Sequence, residues 1–247
     1  RIQFVPDILP SDITGVNIYN QKTGEFEFRP GPLMTQVVLA DEINRAPSKT
    51  QAALLESMEE RKLTVDGITY DLGKPFFIVA TLNPVEYHGI FPLPEAELDR
   101  FSVRVSLGYA DIEHEMAILS SQEKQSPIDS LRSVTNPDEI IMVQKEVTGI
   151  YVDPLVARYI VALAQATRQH KDIILGASHR GSLALFRCTQ ALALIRGREF
   201  VVPDDVKELA VAVLAHRLII SSEARARGVN GAKVISSIVD DIDIPGA

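Results

Sequence analysis

The chain has 247 residues, of which 46% are hydrophobic and 23% are charged, with 14 glycines and 14 prolines. This composition is typical of a folded globular protein and excludes collagen-like and disordered classes. The 25 basic and 33 acidic residues give a net charge of −8, which excludes a general electrostatic attraction to nucleic acid or anionic lipid.

The apolar runs of the sequence are short, and its thiol content is low. None of the runs approaches the roughly 20 residues of a membrane-spanning helix. The single cysteine, Cys188, lies among apolar residues and has no cysteine partner in the chain. We therefore expect a buried thiol in a reducing compartment, by default the cytoplasm, and no membrane span and no nucleic-acid partner.

Residues 2–107 predict strands that alternate with short helices, as in a parallel sheet flanked by helices. Residues 36–40 and 76–81 are apolar at nearly every position and rich in β-branched or aromatic side chains, which indicates central strands covered on both faces. Between them, residues 47–61 have apolar side chains at helical spacing, with Ser48 and Gln51 placed as in a capping box. We expect a helix that connects two parallel strands.

Two β-hairpins are predicted in the same half of the chain. In residues 13–32, two aromatic-rich runs flank the turn at 20–24. In residues 63–70, alternating residues surround Asp66-Gly67, a dipeptide that favours the tight turns of hairpins.

The hydrophobic period becomes helical after Asp111. Helix-start chemistry occurs at Asp111, Asn136, Asp153 and Pro203, where side chains can cap a helix or proline can occupy its first turn. Two apolar stripes follow, the first at residues 156, 159, 160, 163 and 164 and the second at 206, 209, 210, 213, 214 and 218. We expect an α/β domain over residues 1–122, then a linker and an all-helical domain over residues 123–247.

Polar side chains follow both apolar strands. Asp41-Glu42 ends the first run and Asn83 follows the second. Because the carboxyl ends of parallel strands form the ligand-binding edge of such sheets, one carboxylate could hold Mg²⁺ while the other orients or deprotonates water. The alternative interpretation is an acidic, solvated turn after one strand and a turn-forming asparagine after the other.

Two arginines are candidates for phosphate binding. Arg100 follows the loop at 92–94, from which its rigid guanidinium could reach a phosphate in a neighbouring subunit. Arg180 lies where a helix should start, a place that favours anions. The alternatives are a surface ion pair of Arg100 with Asp99 or Glu97, and a solvated helix-end arginine at position 180.

An ordered series of blocks in the chain closely resembles the MoxR group of AAA+ ATPases. These blocks are Pro10–Gly15, Phe26–Pro32, Leu39–Ala46, Lys49–Gln51, Leu55–Glu60, Ala80–Pro84, Leu93–Ala96, Leu98–Phe101 and Gly176–Arg180. The resemblance extends from residue 2 to about residue 220 and implies an AAA+ P-loop NTPase-type parallel sheet followed by a helical lid.

The resemblance also assigns roles to the candidate residues. It implies that Asp41 binds Mg²⁺, that Glu42 activates water as the second Walker B residue, and that Asn83 is the first sensor. Arg100 would be the arginine finger acting across a ring, such as a hexamer, and Arg180 the second sensor from the lid. Family members are chaperone-like machines that use ATP and Mg²⁺ and often work with von Willebrand factor A domain proteins.

The chain also departs from the family pattern. It contains no G-x-x-x-x-G-K-[ST] motif, which in the family lies before the strand that contains Ile2. We therefore expect a sheet that is incomplete at the N-terminus, interrupted between the strands that precede Asp41 and Asn83, and inactive as the isolated chain. His179 and Gly181 replace the family's usual proline and alanine. The alternatives are a truncated, non-hydrolytic interaction module and a magnesium-chelatase-like ATPase subunit.

Overall fold

The computed structural model describes residues 1–83, 90–121 and 127–244. The predicted domain boundary after residue 122 and the Pro84 of the sensor motif lie outside these described residues.

Strands and short helices alternate in the first half of the chain, as predicted. In order they are β1 (Ile2–Gln3), α1 (Pro10–Thr14), β2 (Gly15–Asn20), β3 (Glu25–Pro30), β4 (Val37–Asp41), α2 (Ser48–Glu60), β5 (Lys62–Val65), β6 (Ile68–Asp71), β7 (Phe77–Ala80) and α3 (Glu95–Leu98).

A three-stranded parallel sheet organises this half in the order β1-β4-β7. Strand β4 lies in the middle and pairs directly with β7, with Val37 opposite Phe77 and Ala40 opposite Ala80. The expected interruption between these two strands is therefore wrong. Their direct pairing places the ends of both strands at the same edge of the sheet.

The two faces of this sheet differ in exposure. Val38 and Ala40 are buried, whereas the alternate side chains on the paired strands are solvent-exposed, namely Val37, Leu39, Phe77 and Val79. The prediction that both faces are covered is therefore wrong for the part of the chain that the structure describes, because alternate residues of a strand point to opposite faces.

Helix α2 connects β4 to the second hairpin, but its first turn differs from the predicted capping box. Pro47 is the residue before the helix and caps no backbone group with its side chain. Gln51 is fully buried and donates instead to the carbonyl oxygens of Ile43, Ala46 and Phe91 at 2.9 to 3.2 Å. This amide therefore anchors the loop after β4 to the chain that leads to α3.

Both predicted hairpins are confirmed. Strands β2 and β3 pair antiparallel, and β5 pairs with β6 around Asp66 and Gly67, which have φ of 50° and 80°. The hairpins contact each other, because the rings of Phe28 and Tyr70 stack with centroids 4.1 Å apart. The Asn17 amide also donates to Asp66 at 2.7 Å.

Where the structure describes it, the second half is helical apart from a small antiparallel ladder and an isolated parallel bridge between Tyr151 and Phe200. Its elements are α4 (Ile112–Ser121), α5 (Pro137–Gly149), α6 (Pro154–Gln169), β8 (Ile173–Leu175), α7 (His179–Ile195), α8 (Pro203–Leu214), β9 (Ile219–Ile220), α9 (Ser222–Ala226) and α10 (Gly231–Asp241).

The predicted helix starts are confirmed. The carboxylate of Asp111 accepts from the His114 amide, Asn136 caps α5, Asp153 caps α6, and Pro203 opens α8. Each of the three caps satisfies a backbone donor that the first turn of a helix leaves unpaired.

The helical half has its own hydrophobic core, to which both predicted stripes contribute. A separate core lies between the sheet, α1 and α2. Cys188 is half-buried rather than buried, and its burial raises the pKa of the thiol. Among the described residues, no helix has both the length and the hydropathy needed to cross a membrane.

Candidate functional site

Asp41 is the last residue of β4 and accepts hydrogen bonds from two neighbours. The Thr81 hydroxyl, just after β7, donates to its Oδ1 at 2.5 Å, and the Arg1 guanidinium donates to its Oδ2 at 2.5 Å. The Thr81 hydroxyl also accepts from the Glu42 amide at 2.8 Å. Thr81, just after β7, is therefore hydrogen-bonded to both acidic residues at the end of β4.

Glu42 has a left-handed backbone with φ of 57°, which is uncommon for a residue with a side chain and is found preferentially at functional positions. Its carboxylate accepts from the Gln3 amide at 2.8 Å, from Arg45 at 3.1 Å and from the Asn83 amide at 3.3 Å. Side chains from β1, from the segment after β4 and from the segment after β7 therefore fix the direction of this carboxylate.

Asn83 reaches the same edge through two backbone contacts as well as its side chain. Its backbone amide donates to Asn44 Oδ1 at 3.2 Å, and its carbonyl accepts from Asn44 Nδ2 at 2.9 Å. Asn44, which the sequence analysis did not single out, is buried. The structure therefore brings together the predicted residues Asp41, Glu42 and Asn83.

The carboxylate of Asp41 is held in its charged form. Hydrogen bonds from Thr81 and Arg1, together with the Arg1 charge, hold the pKa of Asp41 below its ordinary value, so the carboxylate is ionised at neutral pH. Adjacent carboxylate oxygens are the donors that Mg²⁺ prefers. No cluster of three or more His, Cys, Asp or Glu that could hold a metal occurs among the described residues. A cation bound by Asp41 would therefore complete its shell with water and phosphate oxygens.

Arg100 lies just after α3, but neither Asp99 nor Glu97 is its ion-pair partner. Its Nε lies 3.4 Å from Glu59 Oε2 near the end of α2, and its side chain is 30% exposed. The geometry is that of an ion pair without a hydrogen bond, because Nε is buried and aligned with no acceptor.

Arg180 is the second residue of α7, whose start is capped by the Ser178 hydroxyl. Its Nη2 donates to Oε1 of the same Glu59. The structure therefore brings both predicted arginines to one carboxylate, which the sequence analysis did not identify as part of the site.

The five predicted residues form two groups. The first group contains Asp41, Glu42 and Asn83 and lies where β4 and β7 end, near the start of α2 at Ser48. The second group contains Arg100 and Arg180, which both contact Glu59 near the other end of α2. Eleven residues separate Ser48 from Glu59, about 16 Å along a helix axis. The described contacts join both arginines to Glu59 and neither of them to Asp41 or Glu42.

Arg217 is a third residue that the sequence analysis did not identify. Its side chain is 2% exposed and pairs with Asp99 at 2.6 Å. It also donates to the backbone carbonyls of Asp99, Phe101 and Val213 at 2.5 to 2.8 Å. The residues on both sides of Arg100 are thus held by the helical half.

His216 and Ser178 strengthen the same junction. The Ser178 hydroxyl donates to Asp99 Oδ2 at 2.9 Å. Burial lowers the pKa of His216, so the ring is neutral at pH 7, and its Nε2 lies 3.0 Å from the Phe101 carbonyl. Because a carbonyl only accepts, Nε2 carries the proton. Asp99 therefore contacts both Ser178 at the start of α7 and Arg217 just after α8.

Models of two protein families match separate parts of the chain. Residues 1–103 match the model of the "ATPase family associated with various cellular activities (AAA)", and residues 165–238 match the model of the AAA lid domain.

Individual proteins match almost the whole chain. It is 50% identical to the uncharacterized protein YeaC of Bacillus subtilis, with 99% of this chain and 77% of that protein aligned. It is 37% identical to the chaperone MoxR1 of Mycobacterium tuberculosis, with 99% and 67% aligned. A crystal structure of a protein from Cytophaga hutchinsonii superimposes with a TM-score of 0.89 at 37% identity, covering 98% of this chain and 76% of that one.

Proposed function

The chain belongs to the MoxR family of AAA+ ATPases, and we propose that its Asp41, Glu42 and Asn83 form the edge at which ATP is hydrolysed in a protein that also supplies a phosphate-binding loop. One of its relatives is named a chaperone. We propose that hydrolysis drives the remodelling or maturation of a partner protein.

The observation that supports this proposal best is the fixed carboxylate of Glu42. Its strained backbone and its contacts with Gln3, Arg45 and Asn83 hold an ionisable group beside Asp41. A solvated acidic turn would need none of these contacts. In our proposal Glu42 orients a water molecule and accepts its proton as the water attacks the terminal phosphorus of ATP.

The other side chains have complementary roles in the proposed reaction. Asp41 would hold Mg²⁺, which when bound neutralises charge on the phosphate oxygens. Asn83 would hold the Glu42 carboxylate in its orientation and could donate to the water or to a phosphate oxygen. Adenosine diphosphate and inorganic phosphate are the products.

We propose that the protein works as a homo-oligomeric ring. Arg100 and Arg180 contact Glu59 rather than their own Asp41-Glu42 pair, and Arg100 would complete the site of a neighbouring subunit. A positive side chain delivered in this way stabilises the charge that develops on the transferring phosphoryl group. The resemblance of the chain to its family suggests a von Willebrand factor A domain protein as the partner.

Substitution of Glu42 tests the proposed hydrolysis. In the full-length protein we expect Glu42→Gln to retain ATP binding and to slow hydrolysis by roughly 10²- to 10⁴-fold, because a glutamine cannot accept the proton. Nucleotide binding and phosphate release are the measurements. Glu60→Gln removes a charge from the exposed end of α2 and serves as the control. Turnover close to that of the unmodified protein would rule out Glu42 as the water-activating group.

A further inference from the structure

Glu59 has one carboxylate oxygen for each of the two arginines. Oε2 lies 3.4 Å from Arg100 Nε, and Oε1 accepts from Arg180 Nη2. The three residues come from α2, from the segment after α3 and from α7. This contact is therefore a junction of three elements that are distant in sequence.

The two guanidinium groups would repel each other without the shared carboxylate. Glu59 is 35% exposed and Arg100 is 30% exposed, so water screens the charges only in part. One carboxylate between two cations offsets their repulsion and fixes the distance between them. Glu59 contacts only Nε of Arg100 and Nη2 of Arg180, so the other guanidinium nitrogens of both arginines are not bonded to this carboxylate.

Glu59 is not the only acidic residue near Arg100. A hollow of about 280 Å³ lies between the end of α2 and the region around α3, lined by Ala52, Glu56, Glu59, Glu60, Glu97 and Arg100. Among the described contacts only Glu59 pairs with an arginine there. The role of Glu59 is therefore specific to its position and does not follow from the general acidity of the hollow.

We propose that Glu59 is a positioning residue that holds Arg100 and Arg180 together as one unit for binding the terminal phosphate of a bound nucleotide. This inference rests on the proposed ATPase function. Glu59 itself touches no substrate. It acts by setting where the two guanidinium groups lie when a nucleotide-bearing site of a neighbouring subunit approaches.

The first test needs no nucleotide. A double-mutant cycle of Glu59→Gln and Arg180→Ala is measured by urea unfolding of the nucleotide-free, full-length protein. Because partly exposed ion pairs are weak, we expect the two effects on the unfolding equilibrium constant to be non-additive by about two- to fivefold. Additive effects would overturn the contact on which the proposal depends.

The second test separates turnover from substrate affinity. We expect Glu59→Gln to lower kcat for ATP hydrolysis by roughly tenfold to hundredfold, since a displacement of about 1 Å of an aligned group has effects of this size. KM should change less than kcat. Glu60→Gln, one residue further along α2, should leave both unchanged. A Glu59→Gln protein with raised turnover would overturn the proposal, because the carboxylate would then be blocking the arginines.

The third test uses mixed rings. Subunits with Glu59→Ala and subunits with Glu42→Gln should regain activity when mixed, because some interfaces then combine an intact Glu42 with an intact Glu59-arginine unit. Glu59→Ala mixed with Arg100→Ala should give no recovery, because both defects affect the same side of the interface. A general folding defect would not produce this pattern.

The failures of the two proposals are distinguishable in this experiment. If Arg100→Ala is inactive and is rescued by Glu42→Gln, but Glu59→Ala remains fully active or is not rescued in verified mixed rings, only the role of Glu59 is wrong. If Arg100→Ala itself retains full hydrolysis, the proposed use of the arginines fails and the role of Glu59 fails with it.

Discussion

Arg217 is a buried cation whose cost is offset by complete pairing. Burying a charge is unfavourable unless charged and hydrogen-bonding partners surround it. Here Asp99 supplies the countercharge, and the carbonyls of Asp99, Phe101 and Val213 accept the remaining donors. The planar guanidinium matches this arrangement because its donors point in several fixed directions.

We expect Arg217→Lys to lower the free energy of unfolding by about 2–4 kcal/mol, because an ammonium group leaves some of the buried acceptors without donors. Hydrolysis by the assembled protein should also fall, since the segment on both sides of Arg100 would lose its anchor. Urea unfolding and phosphate release measure the two effects.

Arg158→Lys, on the exposed side of α6, is the matched control and should change neither quantity. Unaltered stability of the Arg217→Lys protein would contradict the account of this buried pair.

At the residue scale, the sequence predicted that Asp41, Glu42 and Asn83 lie together, but it did not predict what surrounds them. The prediction of their proximity was possible because each follows an apolar strand. Arg217 and Glu59 were missed because their partners lie far away in the sequence, as Arg217 lies 118 positions after Asp99. A weak signal existed, since His216 and Arg217 lie between Leu214 and Leu218, the last two positions of the second apolar stripe.

At the scale of elements, local chemistry predicted the hairpins but not their contact. Asp66-Gly67 adopts the positive φ values that a tight turn requires. The stacking of Phe28 on Tyr70 depends on the relative position of two hairpins, which no turn motif specifies. Gly31 is required by a different contact, within the first hairpin region, because an added Cβ there would lie 2.4 Å from the Ile13 carbonyl oxygen.

The contact between the hairpins can be measured by a double-mutant cycle of Phe28→Ala and Tyr70→Ala. We expect a coupling of about 0.5–1.5 kcal/mol in the free energy of unfolding, the usual value for a stacked aromatic pair. The cycle of Tyr19→Ala with Tyr70→Ala should be additive, because the ring of Tyr19 packs on Phe26 within its own hairpin. Equal coupling in both cycles would show that the stack contributes nothing specific.

At the scale of the whole molecule, the two halves differ in how much apolar surface they bury. Counted over the residues that the structure describes, the core of the helical half has 20 buried hydrophobic residues and the core of the sheet half has 11. The open sheet face adds to this difference, because Val37 is 63% and Phe77 is 61% exposed. Apolar burial is the main favourable term in folding.

We therefore expect amide hydrogens in α6, α7 and α8 to exchange more slowly than those in β4 and β7 of the 247-residue chain. Local opening requires less free energy where fewer apolar contacts are broken. Hydrogen exchange followed by mass spectrometry measures this directly. Equal protection of the two halves would show that the sheet is stabilised by something other than the burial described here.

The junction at Arg217 has a mechanical consequence for Arg100. By its place in the sequence, Arg100 belongs to the sheet half, but the segment around it is held by His216, Arg217 and Ser178 of the helical half. If the helical half rotates as a rigid body relative to the sheet, this segment has to travel with it. The reach of Arg100 toward a neighbour is then set by the angle of the helical half, and a small rotation at the junction becomes a displacement at the tip of the side chain.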